Sequence, residues 1–418
     1  MAELRIGTIL PTSGDIKVGD TNVLKIYSGE VLVFGGGTFN ENLGTGPNGS
    51  IHVINIQSDG KILFGGFNNN FFNGNSIERP IRLNTNGTLD SAYMANRSGQ
   101  VEVSNDWDRG ALLTDGSAIL GGKQEEYRGF SKLNDDGTAN TTFNTNAGLL
   151  GDDIYSVEAM DTYGNYIIMG GNFGDGNIRK YDLNGNEDTN FGSGVSGTFG
   201  TINRDRITTI KIQSDGKILV CGYFTTFNSV SNSNRIVRIN SDGTSDTAFN
   251  TNLGAGQNNG TIGTNPEINA VAIQSDDKIL VGGAFEYFNY DGNINNKKNR
   301  LVRLNPDGSE DNDFYDNLGL GFNNRILTIE VQSDGKILVG GDFSQLDGNA
   351  RNSLVRLNED GSEDTTFYTN LTSGVGGKVL ATATQTDDKI LVGGFFTTIG
   401  GVNLNNFARL NSNGTVEP

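Results

Sequence analysis

The stretch Ile329-Glu-Val-Gln-Ser-Asp-Gly-Lys-Ile-Leu-Val-Gly-Gly-Asp-Phe343 decides how the rest of the chain is read. Apolar residues alternate up to Ser333 and resume through Ile337, Leu338 and Val339, the period of two β-strands. Between them, Asp334-Gly335 is the dipeptide that favours a two-residue type I′ hairpin turn. A single hairpin is marginal in water, so this one needs neighbours.

The neighbours are copies of itself. The turn position recurs at Gly60, Gly116, Gly164, Gly216, Asp277, Gly335 and Asp388, a period of about 55 residues, in the range of solenoids and propellers. After each hairpin come a variable loop, a strand such as Leu301-Val-Arg-Leu-Asn305, a turn such as Pro306-Asp-Gly-Ser309, and the spacing Asp311-x-x-Phe314. One unit thus predicts three strands and a short fourth around the aromatic, the content of one propeller blade.

Tyr93, Phe143, Phe191, Phe249, Phe314 and Phe367 close six of these units. Phe39 precedes Ile56 by 17 residues, the interval that also separates Phe143 from Met160, Phe314 from Val331 and Phe367 from Thr384. Phe39 is therefore the seventh closing aromatic, supplied from the other end of the chain. Its strand is expected beside Phe407-Ala-Arg-Leu410. An open solenoid would instead carry polar capping repeats. The expected fold is all-β, a closed seven-bladed β-propeller over residues 31–418 whose N-terminal strand completes the C-terminal blade. An eight-bladed ring using residues 16–37 is the alternative.

The pattern Ile-Gln-Ser-Asp-Gly-Lys-Ile-Leu-Val-Gly-Gly-x-Phe, followed by Arg-Leu-Asn-x-Asp-Gly-Ser-x-Asp-x-x-Phe, resembles the delta-60 repeat family of bacterial and phage proteins over residues 38–418. That resemblance implies a β-propeller. Upstream, Val18-Gly-x-x-x-Val23-x-Lys25-Ile-Tyr-x-Gly29 resembles a short segment of phage structural proteins, which implies that residues 1–30 form a β adaptor for attachment. Ser28-Gly-Glu-Val-Leu-Val-Phe-Gly-Gly36 also partly copies the repeat, so a distorted repeat unit stays open as the other reading.

The balance of 31 basic against 49 acidic residues, a net charge of −18, repels phosphate backbones and anionic membranes and excludes nucleic acid as a partner. No apolar run approaches the roughly 20 residues of a membrane span, and Met1-Ala-Glu-Leu-Arg-Ile6 does not open like a secretory signal. Cys221 has no second cysteine to pair with and stands where sibling repeats carry Gly, so it reads as a packed thiol.

Chemistry has few candidates. The single histidine, His52, has no accompanying Ser or Cys motif, so neither an enzyme nor a cofactor is expected. The turn from Asn305 to Asp311 superficially resembles a calcium loop. It lacks the twelve-residue frame, and Asx-turn bonding accounts for its residues, so no metal is expected. Arg82, Arg238, Arg303 and Arg356 precede Asp90, Asp246, Asp311 and Asp364 by eight positions, the spacing of a structural bidentate pair. Lys132 with Asn140, and Asp182 with Asp188, stand in for it in the second and third units.

The loops after the glycine pairs are rich in aromatics. Phe67, Phe173, Phe224, Phe285, Phe343 and Phe395 are expected to pack between blades, which leaves Tyr287, Phe288 and Tyr290 as the residues to meet a sugar ring or a protein partner. The expected function is a non-enzymatic structural or binding component of a phage virion, a tail or neck appendage. It would be held by other virion proteins through residues 1–30 and would display the propeller to a host-surface glycan or protein. A bacterial glycan- or protein-binding propeller at the cell surface is the alternative.

If Asp-Gly turns are held by their own bonds, chelator leaves the melting temperature unchanged. A fall of several degrees, worth about 1 kcal/mol or more, would reveal bound calcium.

Overall fold

The computed structural model describes residues 16–18, 21–23, 38–67, 71–77, 79–97, 109–122, 130–147, 154–173, 176–191, 207–222, 224, 226–227, 230–231, 235–254, 257–258, 267–288 and 298–417. Within residues 1–30, Ile16–Val18 pairs antiparallel with Thr21–Val23.

The fold is all-β and propeller-like, built of small antiparallel sheets. Among the described residues seven of these have three or more strands, numbered here in chain order. The sixth is representative: inner strand Ile326–Val331, middle strand Ile337–Gly341 and outer strand Leu354–Leu357. Its middle strand is buried along its whole length, because both faces lie against neighbouring sheets, and Ile337, Leu338 and Val339 are fully enclosed. The inner strand of each sheet packs against that of the next, and the seventh, Val375–Thr384, packs against the first, Val53–Ile56.

The hairpin turn differs from the type I′ expectation. Strands end at Val331 and resume at Ile337, and the Gly335 N–H bonds the Gln332 carbonyl at 3.0 Å. Only Gly335 has positive φ, at 83°, whereas type I′ needs two such residues. This is a type I turn closed by a left-handed residue. Asp277 and Asp388 take that conformation without being glycine, at φ 63° and 61°. A two-residue turn occurs in the third sheet, where Tyr163 pairs with Tyr166 across Gly164-Asn165.

The glycine pair ending each middle strand answers two close approaches. A Cβ on Gly340 would stand 2.5 Å from Val379 of the next sheet. A Cβ on Gly341 would stand 2.3 Å from the Arg325 carbonyl oxygen of its own inner strand. The second glycine therefore lets the inner strand carry a β-bulge there. In the fourth sheet Cys221 replaces the first glycine and is fully buried, and burial pushes its thiol pKa up.

The expected fourth strand is mostly a helix. A single bridge, Leu357 to Glu363, follows the outer strand, and then Thr365–Leu371 turns helical. Asp364 is its N-cap, accepting the Phe367 N–H at 3.2 Å, so Asp-x-x-Phe is a capping signal. Asp311, Asp246 and Asn140 cap the equivalent helices. Each helix buries its aromatic: Phe143, Phe249, Phe314 and Phe367 are all within 1% of complete burial.

Phe39 follows the same rule rather than the expected strand. It opens the helix Phe39–Leu43, 1% exposed, with its ring 6.2 Å from Phe407 of the seventh sheet and the Arg409 guanidinium 4.1 Å above it. Asn40 accepts the Arg409 N–H at 2.8 Å and donates to the Arg409 carbonyl at 2.9 Å, as Asn250 does for Arg238 inside the fourth sheet. Residues more than 360 positions apart thus rebuild a local motif.

Phe39→Ala and Phe143→Ala should each destabilise by about 3–5 kcal/mol, and Asn40→Ala by about 1–3 kcal/mol for the buried backbone groups it strands. Denaturant melts check this. A Phe39→Ala protein as stable as wild type would show that the helix does not bear on the seventh sheet.

Candidate functional site

Inner-strand residues of the seven sheets line an open channel of about 580 Å³, within the range of small-molecule sites. Its shape follows from the glycine pairs. At equivalent places in five inner strands a bulge inserts one extra residue: Glu158, Thr208, Asn269, Leu327 and Leu380. All five line the channel, and His52 of the first sheet joins them. Next along the strands come small residues, among them Ala159, Ala270 and Ala381, which leave the space open.

Hydrogen bonds stitch the channel wall from sheet to sheet. Thr208 Oγ1 donates to the Ile268 carbonyl at 2.9 Å, Asn269 Nδ2 to the Ile326 carbonyl at 3.3 Å, and Arg109 Nε to the Glu158 carbonyl. Ser50 Oγ lies 2.9 Å from His52 Nε2. Deeper in, Asp161 accepts the Ile212 N–H at 2.9 Å and Glu330 accepts the Thr384 N–H, each carboxylate reaching the exposed edge of the next inner strand. Glu330 Oε2 is sealed from solvent without a hydrogen-bond partner, and burial raises the Glu330 pKa.

Of the residues singled out as ligand-facing, Phe288 is fully buried against Phe285 at 6.0 Å between rings, and Tyr287 is 7% exposed. Both belong to the core because their two-residue strand pairs with Gln257–Asn258 and is drawn under the loop. Tyr290 lies outside the described residues. The set expected between blades divides: Phe224, Phe285 and Phe343 are buried, whereas Phe67 is 46% and Phe395 63% exposed. The buried position is the second residue after the glycine pair, and in the seventh sheet Phe396 occupies it. Phe67 and Phe395 fall one residue earlier, on the outward side of the alternation. The Phe173 side chain lies outside what is described.

Sequence reasoning missed the channel wall. Its signal is the position eight before the turn residue, His52, Thr208, Asn269, Leu327 and Leu380, which changes between repeats while its preceding neighbour stays Ile or Val.

Five stretches of the chain, residues 57–93, 213–249, 274–314, 332–367 and 385–418, match the family described as "Domain of unknown function (DUF5122) beta-propeller". They cover just under half the chain, which therefore carries β-propeller repeats. No curated protein matches the chain. Similar solved structures include one described as the extracellular domain of hybrid two component system BT4673 from B. thetaiotaomicron, 13% identical with a TM-score of 0.49, covering 83% of this chain and 37% of that one. PorZ, a surface component of the type-IX secretion system of Porphyromonas gingivalis, is 12% identical with a TM-score of 0.46, covering 83% and 46%. The WD40 β-propeller domain of Doa1 is 11% identical with a TM-score of 0.49, covering 87% and 93%. This chain spans less than half the length of the first two.

Because the folded-state pKa of Glu330 is raised, its contribution to stability is fully present below the unfolded value, about 4.3, and is lost as pH rises through the folded value. Glu330→Gln should therefore melt higher than wild type at pH 8, with the gap closing by pH 4. A gap that widens in acid would contradict burial as the cause.

Proposed function

We propose that the chain is a non-enzymatic recognition and display platform, a closed seven-bladed ring formed by residues 31–418 and carried by residues 1–30 on a phage virion as a tail or neck appendage. One observation carries the ring. A cation at the same place in each outer strand donates to a backbone carbonyl in the turn of the following sheet: Arg82 to Asp135, Lys132 to Leu183, Lys180 to Ser241, Arg238 to Pro306, Arg303 to Glu359, Arg356 to Ser412 and Arg409 to Thr85. The last bond returns from the seventh sheet to the first at 2.9 Å. Gly393 supports the same reading, packed against Ile51 as Gly340 is against Val379.

The reading as a platform rests on how the acidic residues are spent. In the described repeats many Asp residues serve turns, helix caps and pairs with these cations, as Asp307 and Asp311 do. The chelating look of Asn305 to Asp311 is of this kind, since Asp307 accepts both the Ser309 N–H and its hydroxyl. The virion setting rests on the resemblance around Lys25-Ile-Tyr27, and the proposed partners are other virion proteins on that segment and a host-surface glycan or protein on the ring. No helix among the described residues is long and apolar enough to cross a membrane, and at −18 a nucleic-acid partner is not proposed. The open channel supports equally a bacterial binding module at the cell surface, where the same ring would take a glycan or protein.

Two truncations test this. Removing residues 1–30 should leave a folded monomer that no longer joins its assembly, and undiminished incorporation would end the adaptor role. Removing residues 1–45 also takes Phe39, Asn40 and Leu43 from the seventh sheet. It should expose an unpaired edge and give aggregates or swapped dimers, and a stable monomer would end the closed ring.

A further inference from the structure

We propose that the channel binds an acidic monosaccharide, one carboxylate on a hydroxylated ring. This rests on the reading of the chain as a binding module and names what its channel takes.

The repeats themselves separate building positions from variable ones. The residue before each bulge is Val157, Ile207, Ile268, Ile326 or Val379, an aliphatic in every case, because the middle strand of the preceding sheet packs there. The bulge residue that follows is Glu, Thr, Asn, Leu or Leu. Packing that repeats in every sheet accounts for the first set, whereas the second changes from repeat to repeat, and bulges re-aim side chains toward ligands.

Charge selects the ligand's sign. The chain carries −18 overall, yet the titratable side chains of the channel are His52, Arg109, Lys211, Glu158 and Glu330. Lys211 lines the channel with no hydrogen-bond or ion-pair partner among the described residues. Burial disfavours the charged form of Glu330, which tips the balance of the wall toward the cations Arg109 and Lys211. Low-dielectric walls focus such a field onto the channel. A cation without a partner in this setting recognises an anion, and one lysine matches one carboxylate.

The remaining wall selects the ligand's body. Thr208, Thr209 and Asn269 come from the fourth and fifth sheets, and Leu327 and Leu380 come from the sixth and seventh, where Thr328 and Thr382 also line the channel. A pyranose presents hydroxyls at its rim and an apolar C–H face, which this mixture of hydroxyl, amide and aliphatic groups suits, and a channel of about 580 Å³ admits it.

The test is calorimetric titration of the full chain with glucuronate, glucose and inorganic phosphate. Glucuronate should bind at least about ten-fold more tightly than glucose, the scale of one hydrogen bond to a charged group. Lys211→Met should remove that advantage without lowering the melting temperature, and Lys211→Arg should keep it. Equal affinity for the two sugars, no detectable glucuronate binding, or an unaffected Lys211→Met protein would overturn the proposal. Tighter binding of phosphate than of glucuronate would overturn the carboxylate assignment. If glucuronate fails while the full chain still joins its assembly or binds its surface, the channel ligand is wrong and the module reading stands.

Discussion

The structure depends on one repeated interaction, a buried cation that joins its own sheet to the next. Arg303 shows it fully. Its guanidinium lies 4.3 Å over the Phe314 ring, pairs with Asp311 at 2.9 Å, meets Gln274 Oε1 at 3.2 Å and reaches across to the Glu359 carbonyl. Both ionised side chains are about nine-tenths buried, so loss of either partner leaves an uncompensated charge, which costs about 3–5 kcal/mol. Burial opposes ionisation of Asp311, but Arg303 and the Phe314 N–H outweigh it and the carboxyl stays below its usual range. Stability from such a group is present above the unfolded pKa and lost as pH falls through the folded one.

The same cation organises everything nearby. The Gln of the Gln-Ser-Asp-Gly turn is buried because it buttresses the guanidinium, as Gln57, Gln213, Gln274 and Gln332 all do. The helix aromatic is placed by its capping Asp, which also holds the Arg. Hairpin turn, outer strand and helix are thereby locked to one another within a sheet, while the bond to the next sheet joins neighbouring sheets at the spacing that their packed faces set. That spacing leaves the channel open, and the glycine pairs decide which side chains enter it.

Some of this was readable residue by residue, and some was read in the wrong register. The eight-residue spacing from Arg to Asp correctly marked the pairs of Arg82, Arg238, Arg303 and Arg356. In the third sheet the pair is Lys180 with Asp188, at 3.4 Å, and not Asp182, because the shortened turn displaces the strand but keeps the interval. In the seventh the acid is Glu417 for Arg409, a residue type the Asp pattern passes over. Tyr287 and Phe288 looked exposed because an aromatic-rich loop has no periodicity to say which ring turns inward.

What the sequence by itself determined is whatever short intervals encode: the repeated hairpins, the glycine pairs, the capped aromatics and the place of Phe39 among them. The turns and caps rest on bonds between residues a few positions apart, so their pattern and its cause lie in the same stretch, and the glycine pairs and Phe39 are legible because they recur at the same intervals. Only the tertiary structure decided what meets across sheets. Arg409 finds the Thr85 carbonyl 324 positions away, and five bulges from separate repeats meet around one channel. Those contacts depend on how whole sheets stack, a spacing set by packed Ile, Val and Gly surfaces that no single stretch of chain contains.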